Sequence, residues 1–448
     1  MSRRRDVDWA KATFWLVIAF GIFLTGGVFA SKRLQPYQFF EDGYEAARAL
    51  FEQSVQTRHA LLEKIRYDGE GLVAVDPARA YDGLTLIEGL FPEGVELRLL
   101  DMRGEVVNRW PVRFFEIWPE PTHVPQEAIP ASEFNYLTHG IAALPDGSVV
   151  FNVSSYGVVK MDRCGEVLWT LDEASHHVVT PNPNGSFWVP IRAHPEEIPE
   201  RLKLRDIAGK EPHQLTNYED RVLLVSADGV VEQEISVMNA MFEGEFEHDL
   251  SDGWEIKWSD PLHTNDVEVV TPPLAARIEG VVAGDLLVSI RQAHRLAIID
   301  RDSGRIKWSR SGPWVRQHDP DITAEGYIEV FDNGGEHRPD ERQKSRIVVL
   351  DPADGRTWTL HPALEDTPFF TSIMGAHQRL PNGNRLIAES LAGRVFEVTE
   401  PGEVVWDYRL PYDDEYATLI QTALRYAQDY FSVADWSCAA PSNAQVQQ

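Results

Sequence analysis

The sequence predicts an all-β protein, a six-bladed β-propeller, preceded by an N-terminal transmembrane helix and an amphipathic helical stalk. Three observations carry this. Six segments repeat one plan, a strand, an acidic-glycine turn and a second strand that usually ends in tryptophan: VELRLLDMRGEVVNRW, GVVKMDRCGEVLW, RVLLVSADGVVEQEI, LAIIDRDSGRIKW, RIVVLDPADGRTW and RVFEVTEPGEVVW. Four of the stretches between them hold a further hairpin, such as HGIAALPDGSVVFNV and HQRLPNGNRLIAES. Ahead of them all stands a long uncharged run, and behind it an amphipathic one.

Residues 12–30, ATFWLVIAFGIFLTGGVFA, carry no charge over 19 positions, which as a helix spans most of a bilayer core. Arg3, Arg4, Arg5 and Lys11 precede the run and only Lys32 and Arg33 follow closely, so the positive-inside rule keeps the N-terminus in the cytoplasm. Residues 1–31 are therefore expected to be a single-pass membrane anchor, or an uncleaved signal, with everything after it on the periplasmic or extracellular side. The alternative is a cleaved secretory signal, because VFA before Ser31 resembles a small-residue cleavage site. Over residues 32–67, Phe40, Tyr44, Ala47, Phe51, Val55, Leu62 and Ile65 recur mostly at steps of three and four, the mark of an amphipathic helix. This stalk either packs on the same chain or pairs two copies as a homodimer.

From residue 68 to 448 the pattern is short alternating runs broken by turn residues. The turn glycines of the six repeats, Gly104, Gly165, Gly229, Gly304, Gly355 and Gly402, are separated by 61, 64, 75, 51 and 47 residues. Two hairpins per period make a four-stranded sheet. Such a sheet cannot cover both its faces alone, and six of them packed radially can. The stretches 192–220 and 238–262 are expected as loops outside the blades. Cys164 and Cys438 are the two cysteines, too few for a disulfide framework or a cysteine metal site. In an oxidising compartment they could join the C-terminal tail to an early strand; two unpaired thiols are the alternative.

The formal charge of -28, from 42 basic and 70 acidic residues, repels nucleic acid and anionic lipid over most of the surface. An anionic small substrate would need cations gathered in a cleft. His139, His177 and His318 each stand eight positions before an inner-hairpin glycine, Gly147, Gly185 and Gly326, and His377 stands six before Gly383. A shift of two keeps the same strand face. His263 opens HTNDVEVV, which reads as the corresponding strand of another blade. Five blades thus present a histidine near the start of the innermost strand, where side chains converge on the channel. Arg291 and Arg379 lie on the same or adjacent strands and would supply positive charge.

The tract HTNDVEVV, then GDLLVSIRQAH, GPWVRQHDPDITAEGYIEVFDNGG and GAHQRLPNGNRLIAESLAGRVFEVTEPGEVVW, resembles the bacterial arylsulfate sulfotransferase family over roughly residues 80–430. The resemblance implies a six-bladed propeller that moves a sulfuryl group from an aryl sulfate to a phenol through a sulfohistidine, with no nucleotide donor, cofactor or metal. It places His263 and Asn265 on a histidine-x-asparagine pair that handles the sulfuryl group, and Arg291 on the family's active-site arginine. His177, with His176 beside it, falls on an assisting histidine, and His318 by chain order on the nucleophile, with His377 as the rival. The chain departs from the best-known members in its anchor and stalk, its shorter loops and its widely spaced cysteines. The chemistry suits these residue types, since a neutral imidazole is a competent nucleophile and sulfuryl oxygens call for positive donors around them. Asp319 and nearby carbonyls are expected to set the tautomer of His318. Two other readings stand beside this one, a metal site on the converging histidines and a non-catalytic, membrane-anchored propeller that binds a ligand or protein partner in the cell envelope.

Overall fold

Each repeat folds into one antiparallel sheet, and the sheets are six. The computed structural model describes residues 59–193, 219–244, 260–334, 344–360 and 369–438, with a few isolated positions besides. From the channel outward, blade 1 consists of Leu419–Ala427, Gly83–Phe91, Gly94–Leu100 and Val106–Pro111. Blade 2 is Thr138–Ala143, Val149–Val153, Gly157–Met161 and Val167–Leu171, and blade 3 is Thr180–Pro181, Phe187–Ala193, Glu219–Val225 and Val231–Ser236. Blade 4 is Thr264–Val269, Leu286–Ile290, Arg295–Ile299 and Ile306–Ser311. Blade 5 is His318–Ile322, Ile328–Asp332, Arg346–Leu350 and Thr357–Thr359, and blade 6 is Ala376–Arg379, Arg385–Glu389, Arg394–Val398 and Val404–Arg409.

The acidic-glycine turns are the outer hairpins. Gly104 adopts φ +77°, a left-handed conformation that costs glycine nothing, while Asp101 Oδ1 accepts from the main-chain N–H groups of Arg103 and Glu105. The middle strands are buried on both faces because each faces two neighbours. Leu97 and Leu99 pack towards blade 2, whereas Ile87 and Leu100 pack towards blade 6. Buried apolar clusters occupy all six seams, and each fully buried aliphatic or aromatic side chain contributes roughly 1.5–3 kcal/mol.

Three of the tryptophans that end the repeats, Trp110, Trp169 and Trp406, share a role. Trp110 Nε1 of blade 1 donates to Asp162 O in the outer turn of blade 2, Trp169 Nε1 of blade 2 to Ala227 O of blade 3, and Trp406 Nε1 of blade 6 to Met102 O of blade 1. Blade 3 has no tryptophan there, and Gln233 Nε2 donates instead to Arg301 O of blade 4. The repeated register is thus a row of latches between outer strands, with an apolar body in the seam and one donor at its tip.

The ring is closed twice. Leu419–Ala427, from the C-terminal end, is the inner strand of a blade whose other strands come from the N-terminal end. Conversely Gly71–Val75 adds a fifth, outer strand to blade 6 by pairing with Val404–Arg409. The two pairings interlock the chain's two ends across the joint. Cys164 and Cys438 are disulfide-bonded, with Cα atoms 5.6 Å apart, which ties the tail to the outer turn of blade 2.

The chain divides into two compact units, Met1–His59 and Ala60–Gln448. The anchor expected over residues 1–31 and most of the stalk over 32–67 lie outside the described residues, and among the described residues no helix is long and apolar enough to cross a membrane. The last part of the expected stalk is described and is not helical. Residues 60–67 run along the propeller, where Ile65 N donates to Glu415 O, Ala417 N donates to Glu63 O, and Leu62 is buried in the seam between blades 1 and 2. Leu62 docks on the ring while the Ile65 side chain is exposed, so their spacing does not mark a helical face. Most of 192–220 and 238–262 is also outside the described residues, but 192–193 and 219–220 belong to strands, and Val237–Glu243 is a helix capped by Ser236 Oγ.

The joint supplies a stability test. Arg425 on the closing strand pairs with buried Glu397 of blade 6 and donates to Thr85 Oγ1. Arg425→Leu leaves Glu397 as an unpaired buried charge and is expected to cost about 3–5 kcal/mol in urea denaturation, with most of that recovered when Glu397 is also replaced by Leu. A single substitution that costs under about 1 kcal/mol contradicts the closure argument.

Candidate active site

The innermost strands begin irregularly, and this irregularity aims the histidines. The register against the second strand slips between Thr138 and Ile141 in blade 2, between Thr264 and Asp266 in blade 4, and between His318 and Asp321 in blade 5. Bulges of this kind bend a strand and re-aim its side chains. His177, His263 and Asp319 adopt left-handed φ of 59°, 52° and 49°, conformations that non-glycine residues hold only when their surroundings enforce them. The enforcing contacts come from the preceding blade. Gly140 N donates to Glu88 Oε1 (2.6 Å), Asn152 Nδ2 donates to His177 O, Asp220 accepts from Thr264 N, and Asn265 Nδ2 donates to Gln317 O (2.7 Å).

A cavity of about 170 Å³ lies on the channel, with His139, His177, Asn265, His318, His377 and Gln421 among the residues that line it. Gln421, on the inner strand of blade 1, holds the place that a histidine holds in the other five blades; neither its Oε1 nor its Nε2 has a hydrogen-bond partner. The imidazoles of blades 2 to 5 are packed together. Ring centroids are 4.3 Å apart for His139 and His177, 4.8 Å for His177 and His263, 5.0 Å for His176 and His177, and 6.1 Å for His177 and His318. His176 and His177 share a hydrogen bond between their Nδ1 atoms at 2.8 Å.

Burial, reinforced by one another's charge, pushes the pKa values of these rings down. His139 falls to about 3, His176 and His177 fall well below 6.5, and so does His318, where the charge of Arg291 adds to burial. His263 is lowered by burial although Asp260, which accepts from its Nδ1–H, pulls the other way. The five rings are therefore neutral near pH 7, and Arg291, buried where its main-chain N donates to His263 O (3.2 Å), is the cation that His263 and His318 both sense.

The tautomer of His318 is set by Asn333, not by Asp319. Asn333 Nδ2 donates to Thr371 O (3.0 Å) and Met374 O (2.7 Å), so its Oδ1 faces His318 and accepts from Nδ1–H at 2.7 Å. The lone pair of His318 is thereby left on Nε2. Asp319 instead accepts from His377, from both the main-chain N and Nδ1. Burial lowers the pKa of His377, but the Asp319 hydrogen bond and the charges of Asp321, Asp319 and Glu329 outweigh it and carry the value up to about 9. Two histidines from one register thus hold opposite protonation states.

The structure brings together His139, His176, His177, His263, Asn265, Arg291 and His318. His377 lines the same cavity but makes no ring contact with the others among the described residues. Arg379 does not join them. It is exposed and pairs with Glu325 in the hairpin turn of blade 5: it shares the face of His377, but as the last residue of the inner strand it reaches the solvent-exposed end of the blade. Sequence reasoning missed Asn333, Asp260 and Gln421. The signal for Asn333 was present in the strand end FDNGG, and that for Asp260 in SDPLHTND, three residues before His263.

A six-bladed propeller whose channel gathers neutral imidazoles beside two arginines, Arg291 and Arg192, the latter paired with Asp260 and 3.5 Å from His263 Nδ1, defines a protein suited to handling a small anion. The chain belongs to the arylsulfotransferase (ASST) family, whose model matches residues 140–410. Among solved structures it is similar to a protein of unknown function from Bacteroides caccae, at 14% identity and TM-score 0.48 over 77% of this chain and 98% of that one. It is also similar to a streptogramin B lyase, at 10% identity and TM-score 0.36 over 65% and 82%, and to Kuenenia stuttgartiensis hydrazine synthase, at 12% and 0.38 over 70% and 76%. No curated protein matches the chain.

Close backbone approach at one glycine can be tested directly. A Cβ on Gly140, at φ +85°, would lie 1.9 Å from His177 O. Gly140→Ala is expected to push the blade 3 strand start away and to lower stability by about 2 kcal/mol or more in thermal or urea unfolding; an unchanged midpoint would show that the strand starts are not rigidly docked.

Proposed function

We propose that the protein transfers a sulfuryl group from an aryl sulfate ester to a phenolic acceptor by a ping-pong route through sulfated His318. The observation that carries this reading is the His318–Asn333 hydrogen bond, which leaves an Nε2 lone pair on a neutral ring beside Arg291. In the first half-reaction Nε2 attacks sulfur, an N–S bond forms, and the S–O bond to the aryl group breaks with release of phenolate. In the second, the acceptor oxygen attacks sulfur as its proton leaves, the N–S bond breaks, and the pair returns to Nε2. His263, braced on Nδ1 by Asp260, keeps Nε2 free to take that proton, as an acid-oriented imidazole does in acyl-transfer enzymes. Arg291 and the donors of Asn265 and His177 meet the sulfuryl oxygens; a single oriented donor in a desolvated site is worth ~3–4 kcal/mol of barrier.

His377 fits the nucleophile's role less well, because a ring protonated up to about pH 9 has no lone pair to offer at neutral pH. We also read the propeller as facing an oxidising compartment beyond the membrane, in support of which stand the uncharged run 12–30 and the Cys164–Cys438 disulfide.

With an aryl sulfate alone, the enzyme is expected to release one equivalent of phenol and to gain about 80 Da, the mass of SO3, on the peptide that contains His318. Peptide mass analysis under non-acidic conditions reads both events, and His318→Ala should remove them. A label on the His377 peptide would reassign the nucleophile, and the lack of a burst with any aryl sulfate would favour a binding propeller instead.

The pH profile follows from the lowered imidazole values. A histidine whose pKa is depressed stays neutral, and so nucleophilic, to lower pH than a free one, so the acid limb of kcat/KM should lie below pH 6.5. Rate measurements at or above 6.5 that already show the fall would mean that the rings are not held neutral by burial.

A further inference from the structure

We infer that the channel binds a divalent metal ion of the manganese class between blades 5 and 6, with His377 Nε2 and Asp321 as its ligands and Asp319 as the carboxylate that orients the imidazole from Nδ1, apart from the imidazole cluster. One atom from each of these three side chains lies within 4.8 Å of the others. The geometry is that of a site prepared for an ion. His377 is fully buried, and its Nδ1–H is fixed by Asp319, as metal-bound imidazoles are fixed by a carboxylate on the far nitrogen. Its Nε2 has no hydrogen-bond partner and faces Asp321 Oδ2 and Glu329 Oε2, each at 3.7 Å.

That distance is too long for a hydrogen bond. Two ligand atoms each about 2.1 Å from one ion stand about 3.0 Å apart at right angles and about 4.2 Å apart when opposed, and 3.7 Å falls between. Glu329 is already engaged by Arg385, at 3.0 and 2.5 Å, and is not needed as a ligand.

A second, separate observation comes from blade 4. Asp266 is buried on the wall of the same cavity, and its Oδ1 has no hydrogen-bond partner; Glu268, two residues on along the strand, lines the cavity as well. Four carboxylates therefore share this side of the channel with one imidazole. Such a set of oxygen donors around one imidazole nitrogen is the kind of surrounding a divalent ion takes. Asp321 also lines a neighbouring outer cavity of about 490 Å³, bounded by Glu325 and Arg379, which gives the ion a path from solvent. Several oxygens and one imidazole nitrogen suit manganese better than softer ions, which prefer thiolate or mainly nitrogen.

The test uses the full chain, stripped with a chelator and titrated with Mn2+ alone, the free ion being read by electron paramagnetic resonance. The expected result is one Mn2+ bound per chain, a tenfold or greater loss of affinity in Asp321→Asn and in His377→Gln, and unchanged binding in His139→Gln. No saturable binding up to about 1 mM, or wild-type affinity in Asp321→Asn, overturns the proposal. Loss of binding in His139→Gln, with Asp321→Asn unaffected, also overturns it and moves the ion to the imidazole cluster. Should His377→Gln fail to fold, Asp321→Asn and Asp266→Asn decide by the same criterion.

Discussion

The site depends on one kind of contact, a buried polar side chain of one blade hydrogen-bonded to the main chain where the next blade begins. Glu88 holds Gly140, Asn152 holds His177, Asp220 holds Thr264, Asn265 holds the carbonyl before His318, and Asn333 holds Thr371 and Met374. At the joint Gln378 of blade 6 exchanges two such bonds with Arg425 of blade 1. Each is made away from water, where leaving either partner unmet costs about 1–3 kcal/mol, and each fixes a strand start that apolar packing in the seams would leave free to slide. The apolar seams make a ring; these bonds decide where its inner rim puts side chains. The outer tryptophan latches perform the same service at the periphery, where they position turns and no chemistry.

The same contacts give chemically identical residues different properties. His318 and His377 occupy one register in adjacent blades. His318 meets the neutral acceptor of Asn333 and the field of Arg291, and both keep it uncharged; His377 meets Asp319, with Asp321 and Glu329 close by, and is held as a cation or as a ligand to one. The identity of one neighbour, amide or carboxylate, accounts for the contrast. Since Asp319 follows His318 directly, the left-handed turn at Asp319 is what sends the two side chains to opposite partners.

Much of the ring was legible in the sequence because its signals are local. An acidic-glycine turn, a tryptophan at a set offset and two hairpins per period reflect hydrogen bonds and seams within or beside a single blade, so they repeat in the text. The histidine register was legible for the same reason, as strand alternation fixes a face. What escaped was long-range or irregular. Asp260 reaches His263 within its own loop, but Asn333 acts through carbonyls 38 and 41 residues later, and no periodicity encodes that. Gln421 escaped because the closing strand comes from the far end of the chain and breaks the pattern of the inner strands it joins. Arg379 was misplaced because alternation was carried one step past the point where blade 6's inner strand meets solvent. Leu62 and Ile65 read as a helix because two apolar residues three apart fit a helical face whether or not both are buried, and here only Leu62 docks on the ring.

The two charge environments of the channel also bear on how an anionic donor would lie in it. The exterior is strongly acidic, with a formal charge of -28 over the whole chain, so the field outside offers no attraction to an aryl sulfate. Inside, the wall near His139, His177 and His318 is neutral and polar with Arg291 behind it, the wall near Asp266, Glu268 and Asp321 is acidic, and Ile141, Val178, Val179, Leu424 and Tyr426 add apolar surface. A sulfate group would find its donors at the first wall, not among the carboxylates of the second. Its aromatic ring is accommodated on the apolar surface, where burying it is favourable and costs no charge. On the reading of His318 as nucleophile, this asymmetry selects one orientation, sulfur towards Nε2 and leaving group away from Arg291. A metal ion on the carboxylates would give that wall a cation of its own, so the balance between the two walls, and not the imidazoles alone, would set how strictly the donor is aligned.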